Sequence, residues 1–550
     1  MPKTLLCCPI MVDELALALR DAEQARASGA DLVEYRIDRL FNGEGDDEGQ
    51  EAVLRLVADS PLPCVVTCRS ADEGGEYDGD DSARVSLIEA LGTAEHPPKY
   101  IDFEAAAYER SANLRQKINL AIQHDQQVRD VSTGLILSAH DFHSRPANLF
   151  ALLASMRSQE AAKVIKLVFR ARSIRDNLEI FDILRERDRP TIALGMGEHG
   201  LMSRVLAPKF GGFLTFASLT EQGGTAPGQP TIAQLRGRYR FDSITESTKV
   251  YAVIGDPVTH SISPDVHNAG FESVGHDGVY LPMRIDAGWE PFKATLLSLL
   301  AYEPLDFRGA SVTIPHKENL LRLAIEQAAA GEAWEISPVA FGAGAANTLS
   351  VRADGTRFVD NTDALALKSL LREALPDGLS GVPVVVLGAG GVARGACAAL
   401  LEEGARVTVC NRTRERAERL RDELREKLAD APGSIEVAEW DARHGPEARA
   451  WINGTSIGMS GGGADGESPL DFERMETPHD AVVLDTVYAP RRTPLLARAE
   501  ERGLRTIDGV SVFVRQAIAQ SVLWTGDSES LSGLHALFTR VSEEVLASET

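Results

Sequence analysis

From residue 4 to about 235, short apolar runs alternate with longer segments whose apolar residues recur at helical spacing. The runs are LLCCPI, LVEYRI, CVVTCR, YIDFE, LILSAH, VIKLVF, TIALGM and GGFLTFAS, with amphipathic stretches such as Glu14 to Ser28 between them. Eight such strands, alternating with helices, are the count of a (β/α)8 TIM barrel. After the polar, unpatterned stretch 241–248, which contains DSITEST, the pattern changes. YAVIGDP, GVYLPM, GASVTI and the region of NTLSVRADG read as extended segments of a small α/β unit. VPVVVLGAGGVARGACAALLEEGARVTVCNRT then reads as strand, glycine turn, helix and strand, a Rossmann βαβ unit. The expected division is a barrel over 1–240, a linker over 241–248, a first lobe over 249–365, a Rossmann lobe over 366–508, and a helical segment over 509–550 that returns to the first lobe.

Composition narrows the function classes. A chain of 550 residues is longer than one core usually organises, and its 44% hydrophobic and 25% charged residues are ordinary for globular protein. No apolar run approaches the roughly eighteen residues of a membrane span. The net charge of -24 argues against nucleic acid or anionic membrane as partners, so an anionic small substrate would need a local basic pocket. Cys7, Cys8, Cys64, Cys68, Cys397 and Cys410 show neither a disulfide framework nor a zinc spacing, so free thiols and no metal are expected. Met1 to Met11 shows no secretory or transit pattern, which places the chain in the cytoplasm, or in a plastid if a transit peptide was removed.

Candidate chemistry comes from polar residues inside the apolar runs. Glu34, Arg36, Arg69, Asp102, Glu104, His140 and Lys166 all fall within or at the ends of barrel strands, where such folds build active sites. Lys166 sits mid-strand in VIKLVFRA, where desolvation favours the neutral, nucleophilic amine; a lysine paired with a carboxylate across the barrel is the alternative. His140 ends the preceding strand and is suited to general-base work, and Arg36, Arg69 and Arg204 are candidates for holding a carboxylate. Lys163 opens the same run and reads as a strand-entry residue. Glu73 to Asp81 and Ser460 to Ser468, both glycine-rich, are lids or surface excursions.

EYRID, TCRSADEGG, SAHD, VIKL, GLMSR and TAPGQPT, in this order, resemble the type I 3-dehydroquinate dehydratases over essentially all of residues 4–240. The resemblance implies a Schiff base on Lys166, His140 as acid and base, and Glu73 orienting that histidine. Glu34, Arg36, Arg69, Arg204, Thr225 and Gln229 would contact substrate. Thr225 stands where the family usually has Ser.

In the second half, Ser261 and Ser263 lie two apart in VIGDPVTHSISPDVHN and would point the same way if that segment is extended. GASVTIPHK brings Thr313 and Lys317; GAANTL and DNTDA bring Asn347, Thr362 and Asp363. Lys317 and Asp363 read either as a proton-transfer pair or as an ordinary ion pair. Gly388, Ala389, Gly390, Gly391, Val392 and Ala393 fit GxGxxG/A between strand and helix. Where an NAD enzyme places an acid, this chain has Asn411, Arg412 and Thr413, then Arg414 and Arg416, which points to NADP. With NGTSIGM, LDTVYAP and DGVSVFVRQAIAQSVLWTG, these motifs resemble shikimate dehydrogenases over 249–550. That resemblance implies Lys317 and Asp363 as the catalytic pair, with Ser261, Ser263, Thr313, Asn347, Thr362, Tyr488, Gln516 and Gln520 on substrate. Gln516 and Gln520, four apart, share a helix face. Thr455, Ser456 and Gly509 would join the glycine turn around NADP. Ser311 and Ala489 stand where the family commonly has Asn.

The expected function is therefore two consecutive steps: dehydration of 3-dehydroquinate to 3-dehydroshikimate, then NADPH-dependent reduction to shikimate. Quinate as a substrate of the second half, or a non-catalytic metabolite sensor, are the alternatives. The expected partners are these small molecules, and the expected assembly is a monomer or homodimer.

Overall fold

The computed structural model describes residues 3–122, 132–259, 261–444, 448–461, 464–475 and 477–548. His260 of the HSISP motif and residues 462–463 of the second glycine-rich run lie outside the described residues. The chain divides into two compact units, Met1–Thr248 and Lys249–Thr550.

In the first unit all eight expected strands form: β1 (Leu5–Met11), β2 (Leu32–Arg36), β3 (Cys64–Thr67), β4 (Tyr100–Glu104), β5 (Gly134–Asp141), β6 (Ala162–Arg170), β7 (Thr191–Met196) and β8 (Leu214–Phe216). Their order, β7-β6-β5-β4-β3-β2-β1-β8, is parallel throughout. Across the remaining gap the Phe213 N–H donates to the Thr191 carbonyl at 2.9 Å, so the sheet is a nearly closed barrel. Side chains two apart share a face of a strand, and this sorts the interior into levels. Cys7, Leu32, Val65, Ile136, Val164, Ile192 and Leu214 fill the barrel with hydrocarbon. Two residues further along the same faces stand Glu34, Thr67, Ser138 and Lys166. A dry floor thus lies beneath a charged rim.

The stretch expected as a linker, 241–248, is part of this first unit. Phe241–Ser243 forms a 3-10 turn, Phe241 and Ile244 are buried, and the Lys209 ammonium donates to the carbonyls of Glu246 (2.7 Å) and Thr248 (2.8 Å). Its polar composition hid the two apolar anchors.

The second unit holds two six-stranded sheets. One comprises β9 (Lys249–Gly255), β10 (Gly278–Arg284), β11 (Phe307–Val312), β12 (Trp334–Ile336), β13 (Thr348–Val351) and β14 (Arg357–Asp360), in the order β10-β9-β11-β13-β14-β12. β13 runs antiparallel to β11 and β14. The other comprises β15 (Pro383–Leu387), β16 (Arg406–Cys410), β17 (Ser434–Ala438), β18 (Ala450–Asn453), β19 (Val482–Asp485) and β20 (Arg505–Ile507). Its parallel order β17-β16-β15-β18-β19-β20 is the 3-2-1-4-5-6 arrangement of dinucleotide-binding sheets. The helix Gly509–Thr525 returns to the first lobe, where the Trp524 indole N–H donates to the Leu349 carbonyl at 3.0 Å. All six cysteines are free thiols. No described helix is long and apolar enough to cross a membrane.

Candidate active sites

At the barrel rim, Lys166 Nζ donates to Glu34 Oε1 at 3.0 Å and to Asp102 Oδ2 at 2.9 Å, and lies 4.7 Å from the centre of the Phe216 ring. Its side chain is 5% exposed. Asp102 is itself held by Arg69 (2.7 Å) and the Ser138 hydroxyl (2.6 Å). Burial raises the Asp102 carboxyl, but Arg69 and Lys166 outweigh it and hold the group below the usual carboxylate range. The pairing alternative is thus realised, with two carboxylates rather than one.

His140 Nδ1 lies 3.1 Å from Glu73 Oε2, and the same oxygen accepts the His140 backbone N–H at 3.0 Å. Burial, then Arg69 and Lys166, push the imidazole well below its ordinary value, so it is neutral at pH 7. Burial raises the Glu73 carboxyl to about 7. When Glu73 is ionised, Nδ1 carries the proton and Nε2 is the basic nitrogen.

The run Glu73 to Asp81 is a folded turn rather than a loose excursion. Tyr77 N–H donates to the Arg69 carbonyl, Ala71 N–H to the Tyr77 carbonyl, and Tyr77 is buried. Arg84, on the helix Asp81–Thr93, joins Asp81 to Glu104 (2.7 Å), which in turn lies 3.3 Å from Arg69. Ser138 and Arg84 were not among the expected residues; Asp102 and Glu104 were read as rim residues but given no role. For Asp102 and Glu104 the signal was present: an acid inside an apolar strand.

Of the three arginines expected to hold a substrate carboxylate, two are already committed. Arg36 makes a two-pronged bond to Asp38 (2.9 Å each), and Arg69 serves Asp102 and Glu104. Arg204 is different. It is 1% exposed, donates only to the Gly195 carbonyl (3.1 Å) among the described residues, and burial pulls its guanidinium down to about 10. Nearby in the chain, Gln229 Oε1 accepts the Thr225 N–H at 3.1 Å and fixes the TAPGQ turn.

In the second unit, Lys317 Nζ donates to Asp363 Oδ2 at 2.6 Å. Lys317 opens the helix Lys317–Ala329, and Asp363 is in the first turn of Thr362–Ala374, whose N-terminal dipole favours the carboxylate. Asn347 Oδ1 accepts the Thr362 N–H (2.8 Å) and the Thr348 hydroxyl (2.8 Å). Because a backbone N–H can only donate, the amide oxygen of Asn347 is fixed inward and its NH2 points away. Thr362, expected on substrate, is fully buried, with its hydroxyl bonded to Asn347 (3.1 Å) and Gln516 (3.4 Å). Gln520 is likewise buried, and links Ser311 (2.7 Å) to Thr348 (3.0 Å).

The Ser261–Ser263 segment is not extended. Ile262 is helical, Ser263 opens the helix Ser263–Ser273, and Ser261 Oγ accepts the Ser263 N–H at 3.3 Å. Pro264, in the first turn, was the overlooked signal of a helix start. Thr313 and Tyr488 are both half-buried.

Between β15 and the helix Gly391–Glu402, Gly388 has φ 104° and its α-carbon faces the Gly454 carbonyl, where a Cβ would come within 2.9 Å. Asn411, Arg412 and Thr413 follow β16; Arg412 and Arg416 are exposed and form no ion pair among the described residues, whereas Arg414 is tied to Glu418 and Glu439. The Thr455 hydroxyl donates to Asn453 Oδ1 (2.7 Å), Ser456 is exposed, and Gly509 packs on the Val487 carbonyl. Among the described residues, no cluster of three or more His, Cys, Asp and Glu could hold a metal ion.

A lysine, histidine and carboxylate rim on a (β/α)8 barrel, followed by a two-lobed dinucleotide-binding unit with its own lysine–aspartate pair, defines a two-enzyme chain. Residues 6–246 match the family described as type I 3-dehydroquinase, 253–349 the shikimate dehydrogenase substrate binding domain, and 369–437 the shikimate / quinate 5-dehydrogenases. The chain is 36% identical over 544 residues, 95% of its length and 82% of the relative's, to the bifunctional 3-dehydroquinate dehydratase/shikimate dehydrogenase, chloroplastic, of Arabidopsis thaliana. It belongs to the bifunctional 3-dehydroquinate dehydratase/shikimate dehydrogenase family. It is also 39% identical to the shikimate dehydrogenase (NADP(+)) of Rhodospirillum rubrum, over 52% of this chain and 94% of that one. Among solved structures, the dehydroquinate dehydratase and shikimate dehydrogenase from S. pombe AroM is 25% identical, covers 98% of each chain and gives a TM-score of 0.41.

Proposed function

We propose that the chain dehydrates 3-dehydroquinate to 3-dehydroshikimate in its barrel and reduces that product to shikimate in its second unit, with NADPH as reductant. The observation that carries the reading is the buried Lys166 beside His140 in one unit, together with the 2.6 Å Lys317–Asp363 pair in the other. A coupled assay started with dehydroquinate and followed by NADPH consumption tests it; no consumption, with the dehydrogenase step shown active on dehydroshikimate, would remove the first half.

In the barrel, Lys166, once it has lost a proton, attacks the substrate ketone as the neutral amine. Loss of water gives an iminium that withdraws electrons from the adjacent carbon. His140 Nε2 takes the proton from that carbon, then returns it to the departing hydroxyl, and water frees Lys166. Glu34, Asp102 and Thr67 keep the lysine in place, while Arg36 and Arg69 stiffen the floor.

Since Glu73 titrates near 7 and its ionised form fixes the useful His140 tautomer, dehydration should be full above about 7 and fall as pH drops through that value. In Glu73→Gln the limb near 7 should vanish from the kcat profile at a lower plateau. A limb unmoved by the substitution would assign it elsewhere.

Arg204, a buried cation with no carboxylate partner among the described residues, supports its assignment to the substrate carboxylate. Arg204→Met should lower kcat/KM for dehydroquinate by roughly 30-fold or more, since truncating one partner of a buried charge pair costs about 2–5 kcal/mol. The free protein should melt higher, because an uncompensated buried charge is removed. A lower melting temperature would make Arg204 structural.

The dinucleotide site fits NADP: the helix start at Gly391 suits a pyrophosphate, and Arg412 and Arg416, exposed and without an ion pair among the described residues, suit a 2′-phosphate. When bound, the nicotinamide supplies hydride. Lys317, backed by Asp363, protonates the carbonyl oxygen that hydride addition makes basic, while the outward NH2 of Asn347, with Ser261, Ser263, Thr313, Tyr488 and Gln516, orients the substrate hydroxyls.

A further inference from the structure

The glycine turn contains one glycine too many for its dinucleotide role. In GxGxxG/A, Gly388 makes the tight turn, Gly390 clears space for the pyrophosphate and Ala393 packs helix on strand; Gly391 occupies a variable position. Its backbone does not require glycine, since it lies in the first turn of a regular helix without positive φ, where alanine is the better helix former. The space around it does. A Cβ on Gly391 would lie 2.9 Å from Lys317 Cδ, 3.3 Å from its Cβ and 3.5 Å from its Cγ, whereas one on Gly390 would meet nothing within 4 Å.

We propose that Gly391 is a positioning residue for the reduction: its missing side chain seats the stem of Lys317 and so brings the ammonium onto Asp363. This rests on the reading of Lys317 and Asp363 as the pair that handles the proton. Lys317 is confined on two sides. Asp363 fixes the ammonium at 2.6 Å, and Gly391 leaves the stem a groove in the very loop that would take the dinucleotide. A methyl group there pushes the stem aside by a few tenths of an ångström at its middle, which the long lever to Nζ enlarges. The backbone face presented to a pyrophosphate stays as it was.

The test compares Gly391→Ala with Gly390→Ala in the full chain. For Gly391→Ala, kcat for dehydroshikimate reduction should fall roughly 10- to 100-fold, the range of a misplacement near 1 Å. The NADPH dissociation constant, read by fluorescence titration, should stay within about 2-fold, since no dinucleotide contact changes. Amine-reactive labelling of Lys317, read by peptide mass, should quicken because its ammonium no longer sits on Asp363. Gly390→Ala should do the opposite, weakening NADPH without changing Lys317 labelling. Unchanged kcat and labelling in Gly391→Ala, or a loss of NADPH affinity matching that of Gly390→Ala, would overturn the proposal. Retained reduction in Lys317→Met would instead overturn the reading of the catalytic pair.

Discussion

Replacing Lys166 with methionine should abolish dehydration, lowering kcat by roughly 10⁴- to 10⁶-fold, while reduction of added dehydroshikimate proceeds at its normal rate. Methionine fills the volume of the stem but removes the one atom that can bond covalently to a ketone. It also leaves Glu34 buried with only the Thr67 hydroxyl among the described residues, whereas Asp102 keeps Arg69 and Ser138. Breaking such a buried pair costs about 3–5 kcal/mol, so the barrel should melt earlier and the second activity serves as the internal control. Borohydride added with dehydroquinate should leave a reduced adduct on the Lys166 peptide of the unaltered protein. Lys163 sits at the register irregularity between Ala162 and Val164 where β6 opens, three residues before Lys166. An adduct on Lys163, or none, would refute the covalent step.

The complementary loss is expected at the other pair. Lys317→Met should reduce kcat for reduction by roughly 10³- to 10⁴-fold, the contribution of a positioned proton donor, with dehydration intact. Asp363→Asn should give a smaller loss, because the amide still accepts from the ammonium but brings no charge. Steady-state rates of each half-reaction on the same preparations decide the matter: loss of both activities in Lys317→Met would mean that the halves do not work independently.

How much of this was visible beforehand varied with the distance over which the information acts. The barrel was legible because every strand carries a short apolar run, and the rim because charged residues interrupt those runs. The partner of Lys166 was not. Asp102 is 64 residues away, and β5 separates the two strands, so the contact crosses the barrel interior. Periodicity tells which face a residue occupies but not what it meets on the far side. Arg36 was a different failure, since Asp38 two residues on was in view as a local partner. β12 and β14 escaped because Trp334–Ile336 is only three residues long and Arg357–Asp360 begins and ends on charge. The pairing of Lys317 with Asp363 was implied by the family resemblance, and the helix face shared by Gln516 and Gln520 followed from their spacing. The burial of Thr362 and Gln520 behind Asn347 did not, because depth beneath a surface leaves no mark on spacing.

The clasp by which Lys209 grips the carbonyls of Glu246 and Thr248 sets where the gene can be divided. A barrel ended at residue 240 would lose Phe241 and Ile244 from its own packing and strand a buried ammonium; one ended at 248 keeps all three. The eight residues that look like a tether belong to the upstream half, and recombining either enzyme with a foreign partner is best done at the bond between Thr248 and Lys249.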